Sequence, residues 1–437
     1  MRVGVVILLW IAILTTAQAS TADFRDSDRD HAYTMLRGVQ QEIEQKYFDP
    51  AFKGIDLKAG AEVAKTRIAK ATSIGETFAA IAQFAAEMDD SHTFFVPPWQ
   101  TASVDYGWTM GMVGDTCHVL RVKSGSDAAR QGVMRGDVVK TVNGLRPTRE
   151  SLWRLEYLFH VLRPQPGLHV ELITPKGVAR ELDLAADVRQ RKKIIALTGA
   201  DSGWDIARLM DERSKESREQ QPTIVESGKQ VLIVRLPTFA IEESAINQVL
   251  HRARSHEVLI LDLRGNRGGP TVSLQTLLGG LSRTDVAIGS LKEREHTTPL
   301  LAKGAGNDAF VGRVFVLVDA ESASSSELLA RAIQLTDRGT VIGDRTAGAV
   351  MTSQYRPLLV SHGENVISYG TFITIADVVM SDGARLEKKG VTPDFVELPT
   401  AEDLAAGRDP ALAHALKFSG QPIDAAAAGA LLAGAKD

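Results

Sequence analysis

The chain is 437 residues long, carries a net charge of −4 and contains one cysteine, which is length enough for two or three domains with sizeable cores. That charge gives no electrostatic case for nucleic acid or an acidic membrane surface, and a lone Cys117 makes no intramolecular disulfide, so packing must supply the stability. Cys117 lies in an expected strand, 116–122, as a small apolar residue rather than a nucleophilic thiol. No metal or cofactor is expected. His256-Glu257 lacks the second histidine of a zinc-protease helix, there is no Cys pair, and the other histidines are scattered.

At the N-terminus Met1 and Arg2 precede an apolar run, 3–14, then Thr15, Thr16 and the small-residue pattern Ala17-Gln18-Ala19. This reads as a signal peptide over 1–19, with the mature chain starting near Ser20 and exported to a periplasmic or extracellular space. A retained anchor is the alternative, although the run falls short of the roughly 20 residues of a span. Residues 20–98 are expected to be a helical domain, with apolar positions at Met35, Val39, Ile43 and Phe48, then Val63, Ile68, Phe78, Ile81 and Phe84. It ends in Met88-Asp89-Asp90-Ser91-His92-Thr93, followed by Pro97-Pro98. Ser91 and His92 therefore fall on a helix-to-loop junction. Taken alone, His92 before an aromatic-proline exit reads as a packed structural histidine.

Over 104–188 short strands alternate with glycine turns. The run from Asp127-Ala128-Ala129-Arg130 through Gly136-Asp137-Val138-Val139 to Asn143-Gly144 predicts a short helix, a strand and a tight hairpin. In residue order this segment resembles the centre of a PDZ domain. Gly107, Met110, Gly111 and Met112 then resemble the loop whose backbone N–H groups hold a peptide carboxylate beside an open sheet edge. A purely structural small barrel requires the same turns. Residues 189–230 are charged and irregular and read as a solvated connector. Over 231–400 strands and helices alternate: strand 231–236, helix 243–254, strand 258–263, a helix from about Val272, strand 314–319, and a helix opening near Ser326. The predicted fold is multidomain α/β with a largely parallel sheet, buried on both faces because 258–261 and 314–318 are continuously apolar. The end, 401–437, is expected to be a helix with a flexible Ala/Gly-rich tail after Gln421.

Two strand-to-helix junctions carry candidate chemistry. Arg264-Gly265-Asn266-Arg267-Gly268-Gly269-Pro270 offers backbone donors for an oxyanion, although a bare glycine corner reads the same way. Asp319-Ala320-Glu321-Ser322-Ala323-Ser324-Ser325-Ser326-Glu327 places serines at a helix start, where one can cap while another attacks.

Six segments occur in the order seen in C-terminal processing, or tail-specific, peptidases. They are Asp90-Ser91-His92-Thr93, the PDZ-like run, Leu261-Asp262-Leu263-Arg264-Gly265-Asn266-Arg267-Gly268-Gly269, the serine cluster, Val341-Ile342-Gly343-Asp344-Arg345-Thr346-Ala347-Gly348, and Gly390-Val391-Thr392-Pro393-Asp394. The resemblance spans nearly the whole mature chain and implies a crotonase-like catalytic domain. Family members with a serine-lysine dyad carry the lysine where this chain has Ala349, and no lysine lies between Lys303 and Lys388. The chain resembles instead the tricorn-type branch with a Ser-His-Ser-Glu site. By that resemblance Ser324 is the nucleophile, His92 the general base, Ser91 and Glu387 its orienting pair, and the Ser325 N–H with one N–H of Gly268-Gly269 the oxyanion donors. The expectation is an exported serine endopeptidase acting on polypeptides, with tails selected by the PDZ-like domain and oligomeric state unreadable. The alternative is a catalytically silent peptide- or lipophile-binding relative. Absence of Gly-x-Ser-x-Gly weakens an esterase of other lineage. The second pair, Ser361-His362, reads as part of a hairpin turn before Gly363-Glu364-Asn365.

Overall fold

The computed structural model describes residues 24–98, 102–190, 221–362 and 365–433. The expected signal peptide, most of the charged connector and the Gly363-Glu364 turn lie outside the described residues.

Three helices open the chain: α1 Asp26–Lys46, α2 Leu57–Lys70 and α3 Ile74–Ala86. Met35, Val39 and Ile43 recur every four residues on α1 and are buried, so one stripe faces a core shared with Ile68, Ile81 and Phe84. Asp56 accepts from the Lys58 and Ala59 N–H groups at the start of α2, and Ser73 from that of Glu76 on α3. Beyond α3 comes β1, Phe94–Val96.

The next unit holds β2 Ala102–Asp105, β3 Trp108–Val113, β4 Thr116–Val122, α4 Asp127–Arg130, β5 Val138–Val142, α5 Leu152–Tyr157, β6 Gly167–Ile173, β7 Ala179–Ala185 and β8 Asp187–Gln190. Strands β3-β4-β5-β6-β7 form an antiparallel sheet in that order, and β2 pairs with β8. Asn143 and Gly144 both have positive φ, 49° and 76°. That pair makes the tight turn expected of Asn-Gly.

A second β-rich unit follows with β9 Thr223–Ser227, β10 Val231–Arg235, α6 Glu243–Ala253, β11 Val258–Asp262, α7 Thr271–Gly280, β12 Val286–Glu293, β13 Thr297–Ala302, β14 Arg313–Val318, α8 Ser325–Leu335, β15 Thr340–Gly343, β16 Thr352–His362, β17 Asn365–Met380 and β18 Phe395–Val396. After these come α9 Ala401–Ala406, α10 Pro410–Phe418 and α11 Ala425–Ala433. A six-stranded sheet runs β18-β15-β14-β11-β10-β9, parallel except where β9 meets β10. Its central strands are buried on both faces, as their unbroken apolar runs require. Leu259 and Leu261 face the core under α6, α7 and α8, whereas Val258 and Ile260 face the opposite core with Leu412, Leu416 and Ala428.

Three expectations are corrected here. The stretch after Gln421 is not a loose tail: α11 packs on the sheet through Ala428 and Leu432, because small residues let it close in, with Gly429 tight against the Gly407 carbonyl. The connector ends earlier than Gln230, since β9 adds to the sheet from Thr223. Finally, β1 leaves the helical unit and joins a separate sheet, β1-β17-β12-β13 with β16 on β17, against which α1 packs.

Candidate active site

The candidate base is mounted on a turn built around a buried carboxylate. Asp89 has φ 50° and reverses the chain after α3. Asp90 follows, with its side chain wholly buried, and accepts from the His92 N–H at 3.0 Å, the Thr93 N–H at 2.7 Å, Thr374 Oγ1 at 2.9 Å and Tyr47 Oη at 2.7 Å. One carboxylate thus ties α1, the turn and β17 together. Ser91 donates its N–H to Glu387 Oε1 at 2.9 Å and its hydroxyl to Oε2 at 2.9 Å, while His92 Nδ1 lies 2.6 Å from Ser91 Oγ. With the Ser91 proton directed to the carboxylate, His92 Nδ1–H is the donor to Ser91, and Nε2 keeps its lone pair. Burial pushes the imidazolium pKa below its ordinary value, with the Asp90 charge opposing. His92 is therefore neutral at pH 7, as a base must be. Burial also raises the Glu387 carboxyl, against the Val350 and Ser91 donors.

The serine cluster lies between β14 and α8. Ser324 has φ 55° and ψ −119°, a strained backbone for a residue with a Cβ. It is the N-cap of α8 without a side-chain capping bond, since the Glu327 N–H goes to the Ser324 carbonyl at 2.9 Å. Its neighbours are committed: Ser322 Oγ donates to the Leu263 carbonyl at 2.9 Å, Ser325 Oγ to Gly269 at 2.7 Å and Ser326 Oγ to Asn266 at 2.9 Å. Among the described residues the Ser324 hydroxyl donates to no group, so within the cluster it is the one whose proton is free to be taken. A Cβ on Gly268 (φ 96°) would sit 2.7 Å from Ser324 Cβ, so only glycine lets the two turns touch. The Gly268 N–H is already given to Asn266 Oδ1 at 2.8 Å. Of the Gly268-Gly269 pair, Gly269 is left with an uncommitted N–H among the described residues, as is Ser325.

The base and nucleophile sides meet through one peptide. Ser324 N–H donates to the Ala349 carbonyl at 2.8 Å, and the next residue, Val350, donates to Glu387 Oε2 at 2.8 Å. Glu327 braces that contact from below. It accepts from Thr346 Oγ1 at 2.5 Å, the Gly348 N–H at 2.8 Å, the Ala349 N–H at 2.9 Å and the Ser324 N–H at 3.1 Å. Burial pushes its carboxyl up to about 7 despite these donors. No direct hydrogen bond joins Ser324 Oγ to His92 among the described residues, as is common before substrate closes such a site. Ala349, at the position of the dyad lysine, serves through its backbone.

The four expected peptide-binding residues are placed differently. Met110, Gly111 and Met112 are not a loop but the middle of β3, opposite Val119, His118 and Cys117 of β4. The Gly107 N–H is taken by Asp105 Oδ1 at 2.9 Å, whose other oxygen pairs with Lys123, so this N–H is not free for a peptide carboxylate. Among the described residues the far edge of β3 is unpaired. Two further carboxylates, Asp90 and Glu327, belong to the site although the sequence pattern does not single them out. An acid next to Ser-His or three residues into a helix is the only local signal. Tyr47 and Thr374, far off in sequence, gave none.

Residues 230–397 match the sequence profile of peptidase family S41. The chain is 27% identical over 344 residues to the tail-specific protease of Haemophilus influenzae, an alignment covering 75% of this chain and 46% of that protein. It is 25% identical over 375 residues to the chloroplastic C-terminal processing peptidase of Tetradesmus obliquus, covering 80% and 74%. The chain thus spans about half the length of the first of these relatives. Among solved structures, mature CPAF complexed with lactacystin superposes with a TM-score of 0.63 at 14% identity, covering 87% of this chain and 96% of that one. At that identity the likeness concerns the fold.

Proposed function

The chain carries a peptidase family S41 domain over residues 230–397, and on that premise we propose that it is a serine endopeptidase of polypeptides with a Ser-His-Ser-Glu site. The observation that carries this reading is the unbroken path from Glu387 through Ser91 to His92, with the 349–350 peptide bonding both Glu387 and the backbone N–H of Ser324, whose hydroxyl donates to no group among the described residues. In the reaction Ser324 Oγ attacks the scissile carbonyl carbon and His92 Nε2 takes the hydroxyl proton. The tetrahedral oxyanion receives the Ser325 and Gly269 N–H groups. His92 then gives its proton to the leaving amine as the C–N bond breaks, and a water, deprotonated by the same imidazole, hydrolyses the acyl-enzyme. Glu387, through Ser91, offsets the imidazolium charge at both steps. The α/β unit from 231 is read as crotonase-like and 104–188 as PDZ-like. Export follows from Ala17-Gln18-Ala19. Tail capture, if the PDZ-like unit provides it, uses the open β3 edge rather than Gly107. A serine-reactive fluorophosphonate should label the chain, with the adduct on Ser324 by peptide mapping. Labelling elsewhere, or none, together with no peptide hydrolysis, favours the silent binding relative.

A further inference from the structure

Beside the candidate base the sheet carries a row of aromatic side chains that catalysis does not use. Phe94 is two residues beyond His92. Phe94 opens β1 directly after the turn that carries His92, and along β1 the burial alternates, with Phe95 buried and Phe94 and Val96 half-buried, so Phe94 lies on the half-open face of the strand. In the sheet register Phe94 stands opposite Phe372 of β17, and Phe372 opposite Tyr355 of β16. Their rings are 4.8 Å apart and stacked, then 5.2 Å apart and tilted. Tyr157 of α5 meets the edge of Phe94 at 6.2 Å and hydrogen-bonds the Phe95 carbonyl. Each member leaves a segment that builds the site. Phe372 precedes by two Thr374, which holds Asp90, and Tyr355 follows the 349–350 peptide into β16. The row is not sealed, since Tyr355 is 41% exposed and the two phenylalanines are half-buried.

We propose that Phe94, Phe372, Tyr355 and Tyr157 form a subsite for an apolar, preferably aromatic, side chain of the polypeptide on the leaving side of the scissile bond. This rests on the peptidase reading and adds a specificity to it. The geometry assigns the side: the imidazole must hand its proton to the leaving amine, so the chain downstream of the cut passes His92. Two residues of chain span at most roughly 7 Å, so Phe94 lies close enough to His92 to be within reach of the first three downstream residues of an extended substrate. Stacked and edge-on rings are the arrangement a further ring joins favourably. The competing account is structural, with Tyr355 merely covering Gly370, where a Cβ would fall 2.5 Å from its ring.

The test uses the full chain and internally quenched peptides, all-alanine or with Phe at each of the first three positions after a cleavage point fixed by mass spectrometry. In the wild type, Phe at one of these positions should raise kcat/KM about tenfold over Ala. Tyr355→Ala and Phe372→Leu should bring that ratio below about threefold, and fluorescent Phe peptides should lose the same preference in binding to the Ser324→Ala chain once Phe372→Leu is added. No wild-type preference at any of the three positions, or an equal fall for Phe and Ala peptides in both variants, overturns the subsite. Cleavage of the all-alanine peptide reports separately on the peptidase reading. If that cleavage is missing, the binding ratio still decides the subsite.

Discussion

The base side and the nucleophile side of the site are both hung on a buried carboxylate, yet they are anchored in opposite ways. Asp90 collects donors from three distant parts of the chain, Tyr47, the His92-Thr93 turn and Thr374, so the base is a product of assembly. Glu327 collects donors from Ser324 and from a single short loop, 346–349, so the nucleophile turn is a nearly local device, strained at Ser324. The lesson is that damage on the base side should travel to global stability, whereas damage on the nucleophile side should stay in catalysis. The pH response should likewise belong to the base.

The hardest test of that contrast is Ser324 itself. Ser324→Ala should lower kcat by roughly 10⁴-fold or more with little change in Tm, because the hydroxyl donates to no group. Ser324→Gly should be equally inactive but more stable, since release of a left-handed backbone is worth on the order of 1 kcal/mol. Thermal unfolding with peptide turnover checks both, and a large drop in Tm for Ser324→Ala breaks the contrast. By contrast, Ser322 and Ser326 lie outside the local Glu327 brace and tie the turn to the distant 263–266 segment, so Ser322→Ala and Ser326→Ala should retain turnover while losing stability, because each leaves a buried carbonyl unpaired, at about 1–3 kcal/mol.

Next in size is Glu387→Gln. The amide places a donor where Oε2 now accepts from both Ser91 and Val350, which upsets the His92 tautomer. A fall in kcat of roughly 10²–10⁴-fold is expected, with fluorophosphonate labelling slowed in parallel; unchanged labelling kinetics would show that the Ser91-Glu387 path is idle. Glu327→Gln should follow, since one amide cannot accept from four donors. Turnover should fall about tenfold to a hundredfold with a smaller loss in Tm than Asp90→Asn, if the nucleophile turn is local as argued.

The smallest expected effect is a shift in pH. The His92 pKa lies below its ordinary value because burial disfavours the charged ring. Activity needs the neutral ring, so the acid limb of kcat/KM should lie below about pH 6.5, with turnover lost as pH falls through it. Asp90 opposes that lowering, so Asp90→Asn should move the limb further down. A limb above pH 8 would point to an amine base. Movement upward in Asp90→Asn would mean that Asp90 acts on position and not on charge.

Local pattern made the three helices legible, since Met35, Val39 and Ile43 repeat at helical spacing. It also made the parallel strands legible, because residues 258–261 of β11 and 314–318 of β14 are apolar without interruption. Cap residues and glycine turns marked both catalytic junctions. The second sheet was not legible: β16 and β17 are long and mixed in polarity, and pairing across β1 joins residues nearly 280 positions apart. The packing of the Ala-rich end was not legible either, because composition is the same for a loose tail and for a helix small enough to pack on a sheet.

By itself, then, the sequence determined which residue types stood ready: serines at a helix start, a Ser-His pair at a helix exit, a glutamate before Lys388-Lys389-Gly390, and no lysine at position 349. Which of the serines is free, and which carboxylate Ser91 meets, were decided only by the tertiary structure. The reason is physical. Residue type sets what a group can donate or accept, but a hydrogen bond is a matter of distance, and the bonds that commit these groups reach across turns that only folding brings together.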